Sequence, residues 1–302
     1  MKARLTFLLK DQAAIDVVLD SDHRYTLGRA NDNDIVITDP SISQYHAELY
    51  QENDFWLLQD CQSQNGLWVD NQSLDCCVLT DQLSGLLGNV PFMVEHLSQQ
   101  RLDAEFANND WRTAQSQRII SNLDPEQQDN IFAEYISAVV QLTNMERGLL
   151  LLGDSLETMR IHAISGLAAK ELNLQEFSGS VGAIEQASTD REALVAMDTS
   201  NHPMLSSRDT TTLKNIAALA CVPLLQGEQL LGLIYTDSQT AGKVLRRLDF
   251  DILISLADQI AANIYSLSIN DNLIRLIDKV RNLPHQTLLD IPLERIHQSK
   301  LG

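Results

Sequence analysis

The sequence has few of the residues that mark secreted, fibrous or disordered proteins. Among its 302 residues are four cysteines, seven prolines and thirteen glycines, and no two cysteines form a Cys-x-x-Cys pair. Thiols without that spacing indicate reduced cysteines rather than a disulfide framework or a zinc site. Since 44% of the residues are hydrophobic, the composition predicts a globular chain with a sizeable core.

Long apolar runs and basic clusters are also missing. No apolar run approaches the ~20 residues that a membrane span needs, and the N-terminus lacks the apolar core of a signal peptide. The chain has 22 Lys and Arg against 41 Asp and Glu, a formal charge of −19. Such a surface repels nucleic acid and anionic membranes, so we expect neither as a partner and expect a cytoplasmic protein.

The signatures of several catalytic folds are absent as well. The chain has no GxxxxGK[ST] phosphate loop, no GxSxG elbow and no kinase HRD or DFG motif. Asp209 and Lys214 could be read as a catalytic pair, but a solvated surface pair explains them better. Metal ligation needs converging ligands, and the histidines of the second half are scattered: His162, His202, His285 and His297. We therefore expect neither an enzyme nor a metal or cofactor site.

The pattern along the chain predicts two domains of different class. Residues 1–97 contain short runs rich in β-branched and aromatic residues, separated by polar turns, which predicts an all-β sandwich. Residues 98–124 are polar and rich in Gln and Asn, and predict a partly helical linker. Asp124-Pro125 then indicates the start of a helix.

Residues 125–268 mix helical and strand patterns. Gly148-Leu149-Leu150-Leu151-Leu152-Gly153 reads as a buried strand, and Gln226-Gly227-Glu228-Gln229 reads as the turn of a hairpin. A long helix is predicted from about Leu248 to Asn282, so residues 269–302 are expected to form a helical extension and a tail. The fold class is therefore multi-domain, an all-β sandwich followed by an α+β domain with a long C-terminal helix.

Three short motifs end predicted strands in the first domain: Gly28-Arg29, Ser43-Gln44-Tyr45-His46 and Ser63-Gln64-Asn65-Gly66. A phosphate dianion suits the fork of a guanidinium and needs a hydroxyl donor close by. A bound peptide backbone suits an amide side chain, which both donates and accepts. Because loops on a rigid sandwich can meet at one rim, the three motifs together indicate a reader of phosphorylated residues.

On these motifs, with Asn33-Asp34-Ile35-Val36-Ile37 and Asp60 between them, residues 1–97 resemble a forkhead-associated (FHA) domain. The resemblance implies binding of phosphothreonine in a partner protein. It assigns Arg29 and Ser43 to the phosphate and Asn65 to the peptide backbone. It assigns supporting roles to the neighbours, with His46 bracing the loop of Ser43 and backbone freedom supplied by Gly28 and Gly66.

Two positions depart from the pattern of this family. Gln44 stands where a basic residue is common, and Gln64 stands where Thr or Ser is common. The first domain is also acidic, which indicates weak binding or a target with basic flanking residues. An FHA fold that has lost phosphate binding is the alternative.

Residues 125–268 resemble a GAF domain. The resemblance is carried by Glu146-Arg147-Gly148-Leu149-Leu150-Leu151, Ser165-Gly166-Leu167, Cys221-Val222-Pro223-Leu224 and Leu230-Leu231-Gly232-Leu233-Ile234-Tyr235. It implies either binding of a cyclic nucleotide, tetrapyrrole or small metabolite, or dimerisation alone. The Asn-Lys-x-Asp-Glu signature of cyclic-nucleotide members is absent, and Cys221 lies in an apolar strand, which indicates a buried structural thiol. The sequence therefore assigns no ligand and no ligand-binding residues to the GAF domain.

The long helix carries Leu253, Ile260, Leu267 and Ile274 at intervals of seven, with Leu256 and Ile277 at complementary positions and Asn263 and Asn270 in register. This stripe predicts a homodimer through helix 248–282, in which a buried Asn fixes the register. Packing of the stripe on its own sheet, or against the C-terminal tail, is the alternative.

Together these features predict a bacterial signalling adaptor that is not an enzyme. The FHA domain would bind a phosphothreonine protein, either a Ser/Thr kinase or its substrate, while the GAF domain dimerises, with sensing of a small molecule as a further option. The alternatives are a sensor centred on the GAF ligand, with the FHA domain as a localiser, and a scaffold that no longer reads phosphate.

Overall fold

The computed structural model describes residues 2–118, 131–167, 180–197 and 216–281, with side chains described up to residue 269. The first part is a sandwich of eleven strands: β1 (Lys2–Phe7), β2 (Ile15–Val18), β3 (Tyr25–Gly28), β4 (Ile35–Val36), β5 (Ala47–Glu52), β6 (Phe55–Asp60), β7 (Leu67–Val69), β8 (Gln72–Leu74), β9 (Cys76–Val78), β10 (Ser84–Leu87) and β11 (Val90–Leu97). One sheet has the order β2-β1-β11-β10-β7-β8 and the other β4-β3-β5-β6-β9. The predicted all-β sandwich is confirmed.

Alternation along the strands builds the core of this sandwich. In β11, Val90, Phe92 and Val94 face inward while Pro91 and Met93 lie nearer the surface, as the period of two in a half-buried strand requires. Phe92 meets Phe7 of β1 with ring centroids 6.3 Å apart. Leu49 and Leu58 complete the core from the second sheet and are fully buried.

The second part is the predicted α+β domain, which is also confirmed. Its elements are α2 (Ile131–Leu142), β12 (Arg147–Leu152), β13 (Arg160–Ser165), α3 (Val181–Asp190), β14 (Leu194–Met197), β15 (Ala218–Gln226), β16 (Gln229–Ser238) and α4 (Arg247–Arg281). The antiparallel sheet has the order β13-β12-β16-β15-β14. Helices α2 and α4 pack on one face and α3 on the other, which explains why β15 is buried almost throughout.

Helix α4 begins within the core of this domain. Leu253 and Ile260 are fully buried, so the first half of the predicted stripe packs on its own sheet. Asn263 Nδ2 donates to Tyr135 Oη at 3.1 Å, so Asn263 has a partner within its own domain and not at a dimer seam. Leu267 is half-buried, whereas the side chains of Asn270, Ile274 and Ile277 lie outside the described residues.

Of the described residues, Arg247–Ile269 is the one stretch long and apolar enough to cross a membrane by length and composition, with a hydropathy of 1.4. The same stretch supplies Leu253, Leu256 and Ile260 to the domain core. A core helix of a globular domain meets the same criteria.

A twenty-residue helix, α1 (Gln99–Arg118), occupies most of the predicted linker. Its buried Arg112 donates to Leu142 O at the end of α2 and to Asp249 near the start of α4. At the other end of α1, Glu105 pairs with Arg4 of β1. The helix is therefore held mainly by polar contacts to both domains.

The two domains also touch directly. The backbone amide of Ala14, just before β2, donates to Leu245 O just before α4 at 2.9 Å. Ala14 and Leu8 are buried against Met93 of β11 and against Met197 and Val244 of the second domain. The segment between β1 and β2 therefore joins the domains, and we refer to residues 8–14 as the bridging segment.

Candidate functional site

Three loops at one end of the sandwich bring the predicted phosphate-binding residues together. Arg29 follows β3, Ser43 lies between β4 and β5, and Gln64 lies between β6 and β7. The amide of Arg29 donates to Ser43 O at 2.9 Å, and the amide of Gln64 donates to Ser43 Oγ at 3.0 Å. Ser43 is therefore the contact point between the other two loops.

The close approach of these loops depends on Gly28. A Cβ atom at Gly28 would lie 2.1 Å from Gln44 O, so no other residue fits at this position without moving the backbone. The same oxygen accepts hydrogen bonds from the amide of Ala30 at 3.1 Å and from Asn33 Nδ2 at 2.7 Å. Gln44 therefore stabilises the loops through its backbone carbonyl, while its side chain is exposed.

The guanidinium of Arg29 is exposed and oriented by one contact. Its Nε donates to Ile42 O at 3.2 Å, and no carboxylate of the described residues lies within ion-pair distance of it. Both terminal nitrogens are left to bind an external anion. This fork can meet two phosphate oxygens at once.

The Ser43 hydroxyl is half-buried beside it. Its oxygen accepts from Gln64, and its own proton has no acceptor among the described residues. A hydroxyl in that state can donate to a phosphate oxygen. Arg29 and Ser43 thus offer three or more donors on one rim of the sandwich.

His46 is fully buried beneath this rim. Its Nδ1 accepts from the amide of Ser43 at 3.0 Å, so Nε2 carries the proton and faces Gly66 O at 3.3 Å. Burial is the main cause that lowers the pKa of His46, while the Gly66 carbonyl and Asp60 act in the opposite direction. The neutral imidazole therefore links the Ser43 loop to the β6–β7 loop.

Asn65 lies exposed on the β6–β7 loop. Its Nδ2 donates to Ser41 O at 2.7 Å, and its backbone carbonyl accepts from Trp68 Nε1 at 2.7 Å. The Oδ1 atom remains available to a peptide amide. Gly66, which follows, has φ of +74°, a conformation that glycine adopts without strain.

Some residues that shape the site had no assigned role in the sequence interpretation. Ser41 holds Asn65 through its carbonyl, and its hydroxyl accepts from the amide of Asn89 at 2.9 Å. Asp60 accepts from both the amide and the hydroxyl of Ser63, at 3.0 and 2.5 Å. Asn33 and Asp60 were visible in the motif pattern, but no local signal marks Ser41.

The rim is acidic away from Arg29. Asp32 accepts from the hydroxyl of the exposed Tyr45 at 2.7 Å, and Asp39 accepts from the amide of Ser41 at 2.8 Å. Asp32 and Asp39 therefore place two carboxylates on the loops that carry Arg29 and Ser43.

The second domain carries a buried polar group on the α3 side of its sheet. Arg147 of β12 pairs with Asp237 of β16 through two hydrogen bonds of 2.5 and 2.7 Å. Tyr235 donates to the same carboxylate, and its oxygen accepts from the amide of Ser180. Cys221 on this side is fully buried, and burial raises the pKa of its thiol to about 12, so it is an inert thiol.

No group of three or more His, Cys, Asp or Glu side chains in the described residues could hold a metal ion. His162 is exposed beside the ring of Phe132. Asp209, Lys214, His202, His285 and His297 lie outside the described residues.

Comparison with known proteins identifies two domain families. The family model for the FHA domain matches residues 25–83, and that for the GAF domain matches residues 128–264. No curated protein shows a significant match to the chain.

Among solved structures, the chain is similar to the FHA domain of the CT664 protein from Chlamydia trachomatis, at 28% identity and a TM-score of 0.30, covering 32% of this chain and 100% of that one. An FHA domain of an Arabidopsis thaliana hypothetical protein matches at 27% identity and a TM-score of 0.29, covering 32% of this chain and 86% of that one. By its family matches, the chain contains an FHA domain followed by a GAF domain.

Proposed function

We propose that this protein is a signalling adaptor without catalytic activity, which binds phosphothreonine in a partner protein through its FHA domain. FHA domains imply phosphothreonine-dependent signalling, and FHA and GAF domains are typically regulatory. The observation that carries the proposal is the Arg29 guanidinium, exposed and without a carboxylate partner among the described residues, beside a Ser43 hydroxyl whose proton is unused.

The phosphate would bind between Arg29 and Ser43, while Asn65 Oδ1 accepts a hydrogen bond from the peptide backbone. A charged hydrogen bond contributes about 1.5–3 kcal/mol, so Arg29 supplies much of the discrimination against an unphosphorylated threonine. The acidic rim at Asp32 and Asp39 favours a target with basic flanking residues. A Ser/Thr kinase or one of its substrates in a bacterial cytoplasm is the partner that suits this chemistry.

The GAF domain would hold two copies together through α4. Beyond the buried part of this helix, Leu267 is half-buried and Ile269 is 50% exposed. Apolar residues that remain accessible on α4 beyond its buried part suit a second copy. Because the net charge is −19, association of two copies needs contacts that offset the repulsion between them, and apolar contacts of this kind can supply them.

A sensor centred on a GAF ligand is the second candidate. It rests on the GAF family match of residues 128–264, whereas the buried Arg147, Asp237 and Tyr235 satisfy one another's hydrogen bonds and do not by themselves require a ligand. Mass spectrometry under native conditions, on protein from its own host, would show a retained ligand as added mass.

The test of the adaptor is calorimetry with one peptide in three forms, containing phosphothreonine, phosphoserine and threonine, with Lys and Arg flanks. We expect binding of the phosphothreonine form alone. Arg24 provides a matched control, because it is an exposed arginine of the same domain that pairs with Glu48. If the protein bound none of the three peptides, or bound them equally, the scaffold alternative would replace the adaptor.

A further inference from the structure

A cleft of about 1080 Å³ opens between the two domains. Its walls are the outer face of β1, β2 and β11, one side of α1, and the connection between β16 and α4. Small-molecule sites commonly have volumes of ~300–1000 Å³ and lie preferentially at domain interfaces. The phosphopeptide loops do not contribute to this cleft.

The lining combines apolar and amide groups, as small-molecule sites do. Met93, Leu102 and Phe106 supply apolar surface, and the ring of Phe106 is 55% exposed. Amide side chains from α1 and the α2–β12 connection also line it, namely Asn108, Asn109 and Asn144. An organic ligand could be held there by both kinds of contact.

Most charges of the cleft have close partners within the protein. Arg112 is occupied by Leu142 O and by Asp249. Arg4 is buried and pairs with Glu105, while its Nε and Nη1 face Asp16 at 3.7 Å and Glu95 at 3.5 Å without a hydrogen bond.

Two cations of the connection before α4 have weaker partners among the described residues. Lys243 lines the cleft half-buried, and its ammonium makes no hydrogen bond or ion pair with the described residues. Arg246 reaches Asp16 and Glu105 only at 3.9 Å, and both carboxylates already face Arg4.

The position of Lys243, half-buried near Arg112 and Arg246, disfavours its charged form. Burial lowers the pKa of Lys243, and Arg112 and Arg246 lower it further, while Asp249 and Glu146 act in the opposite direction. The charged ammonium therefore gains from any anion that enters the cleft. Among the described residues, Asp249 and Glu146 act on Lys243 only from beyond ion-pair distance.

We propose that the interdomain cleft binds a small organic anion, whose charged group pairs with Lys243 and Arg246 and whose apolar body lies against Phe106. The FHA sheet, α1 and the GAF connection all contribute to this site. It differs from the phosphopeptide site, so either site can be removed without the other.

The probe is 8-anilinonaphthalene-1-sulfonate, which has a sulfonate on an aromatic body and fluoresces when its rings leave water. We expect the full-length wild type to bind it saturably. Lys243→Met keeps the apolar stem and removes the charge, and it should weaken binding roughly tenfold, the loss of one charged contact. Lys243→Arg should retain most of the affinity, and Phe106→Ser should weaken it.

Two controls separate this site from others. Lys10 is an exposed lysine outside the cleft, so Lys10→Met should bind the probe as the wild type does. Arg29→Ala should also bind it unchanged, which shows that the phosphopeptide site is not involved. Thermal melting of each variant confirms that it is folded.

Failure of the wild type to bind the probe would overturn the proposal, because a half-buried ammonium at Lys243 beside the apolar surface of Phe106 should accept it. Equal affinity of folded Lys243→Met and wild type would also overturn it, since the probe would then bind elsewhere. Neither result bears on the phosphopeptide measurements.

Discussion

The backbone amide of Gln64 donates a hydrogen bond of 3.0 Å to the hydroxyl of Ser43. This bond joins two loops of the FHA domain at the oxygen expected to contact phosphate. Because the donor is a backbone group, the bond does not depend on the side chain at position 64. The unusual Gln64 therefore leaves the geometry intact, and it also leaves the Ser43 proton free for a ligand.

Replacing Arg29 with alanine should weaken phosphopeptide binding roughly 10- to 150-fold, the equivalent of one charged hydrogen bond. Arg29→Lys should restore only part of the affinity, because an ammonium lacks the planar fork. Calorimetry measures both, with Arg24→Ala as the control that should bind normally. Unchanged affinity of Arg29→Ala beside a wild type that binds would show that the assignment of Arg29 is wrong.

Ser43→Ala and His46→Ala should differ in their effect on stability. Ser43→Ala should abolish binding because it removes the hydroxyl proposed to contact the phosphate. The melting temperature should change little, because Ser43 lies at the rim, where water can replace its hydrogen bond with Gln64. His46 is fully buried and links two loops, so its loss should lower melting temperature and binding together. Equal losses of stability in the two variants would contradict this division.

Acid should destabilise the FHA domain through His46. Its pKa is lowered in the folded state, so the unfolded chain binds a proton more readily. The contribution of neutral His46 to the stability of the folded domain is complete above the ordinary histidine pKa of ~6.5, and it is lost as the pH falls below that value. Melting temperatures between pH 7.5 and 5 measure the slope, which His46→Asn should flatten.

Light scattering should show a dimer of the full-length protein at tens of micromolar, because an apolar stripe continues past the GAF sheet. The double variant Leu267→Lys/Ile274→Lys should be monomeric. Ser266→Lys adds a charge at an exposed position of the same helix and should remain dimeric. A monomeric wild type would exclude dimerisation through this helix.

Breaking the buried pair of Arg112 and Asp249 should destabilise the whole chain. Arg112→Met leaves the Asp249 carboxylate buried without its partner, at a cost of about 3–5 kcal/mol. Urea unfolding measures the loss. Arg101→Met on the same helix changes an exposed arginine and should cost less than about 1 kcal/mol.

The strands and the phosphate motifs could be predicted from the sequence because their signals are local. Alternation marks β11, and turn residues separate the strands, so the sandwich follows from short windows. Gly28, Arg29 and Ser43 follow a known spacing, and the fold brings them together. In α4, local periodicity predicted the helix but not its partner, since Leu253 and Asn263 meet residues distant in sequence.

The contacts between the two domains could not be predicted, because no local sequence pattern marks them. Helix α1 has little apolar surface, so its composition predicted a linker, whereas Arg112 and Glu105 hold it through ion pairs with residues far along the chain. The same applies to Ala14, which meets Leu245 more than two hundred positions away. Polar pairing at long range leaves no periodic pattern in a single sequence.

The bridging segment also bears on how two copies would meet a partner. The hydrogen bond from Ala14 to Leu245, together with the ion pairs of α1, restrains the FHA domain against the second domain. In a dimer formed through α4, the two proposed phosphate sites would therefore stand within a restricted range of separations. A partner with two phosphothreonines at the matching distance would gain avidity, and one with any other spacing would bind as though through a single site.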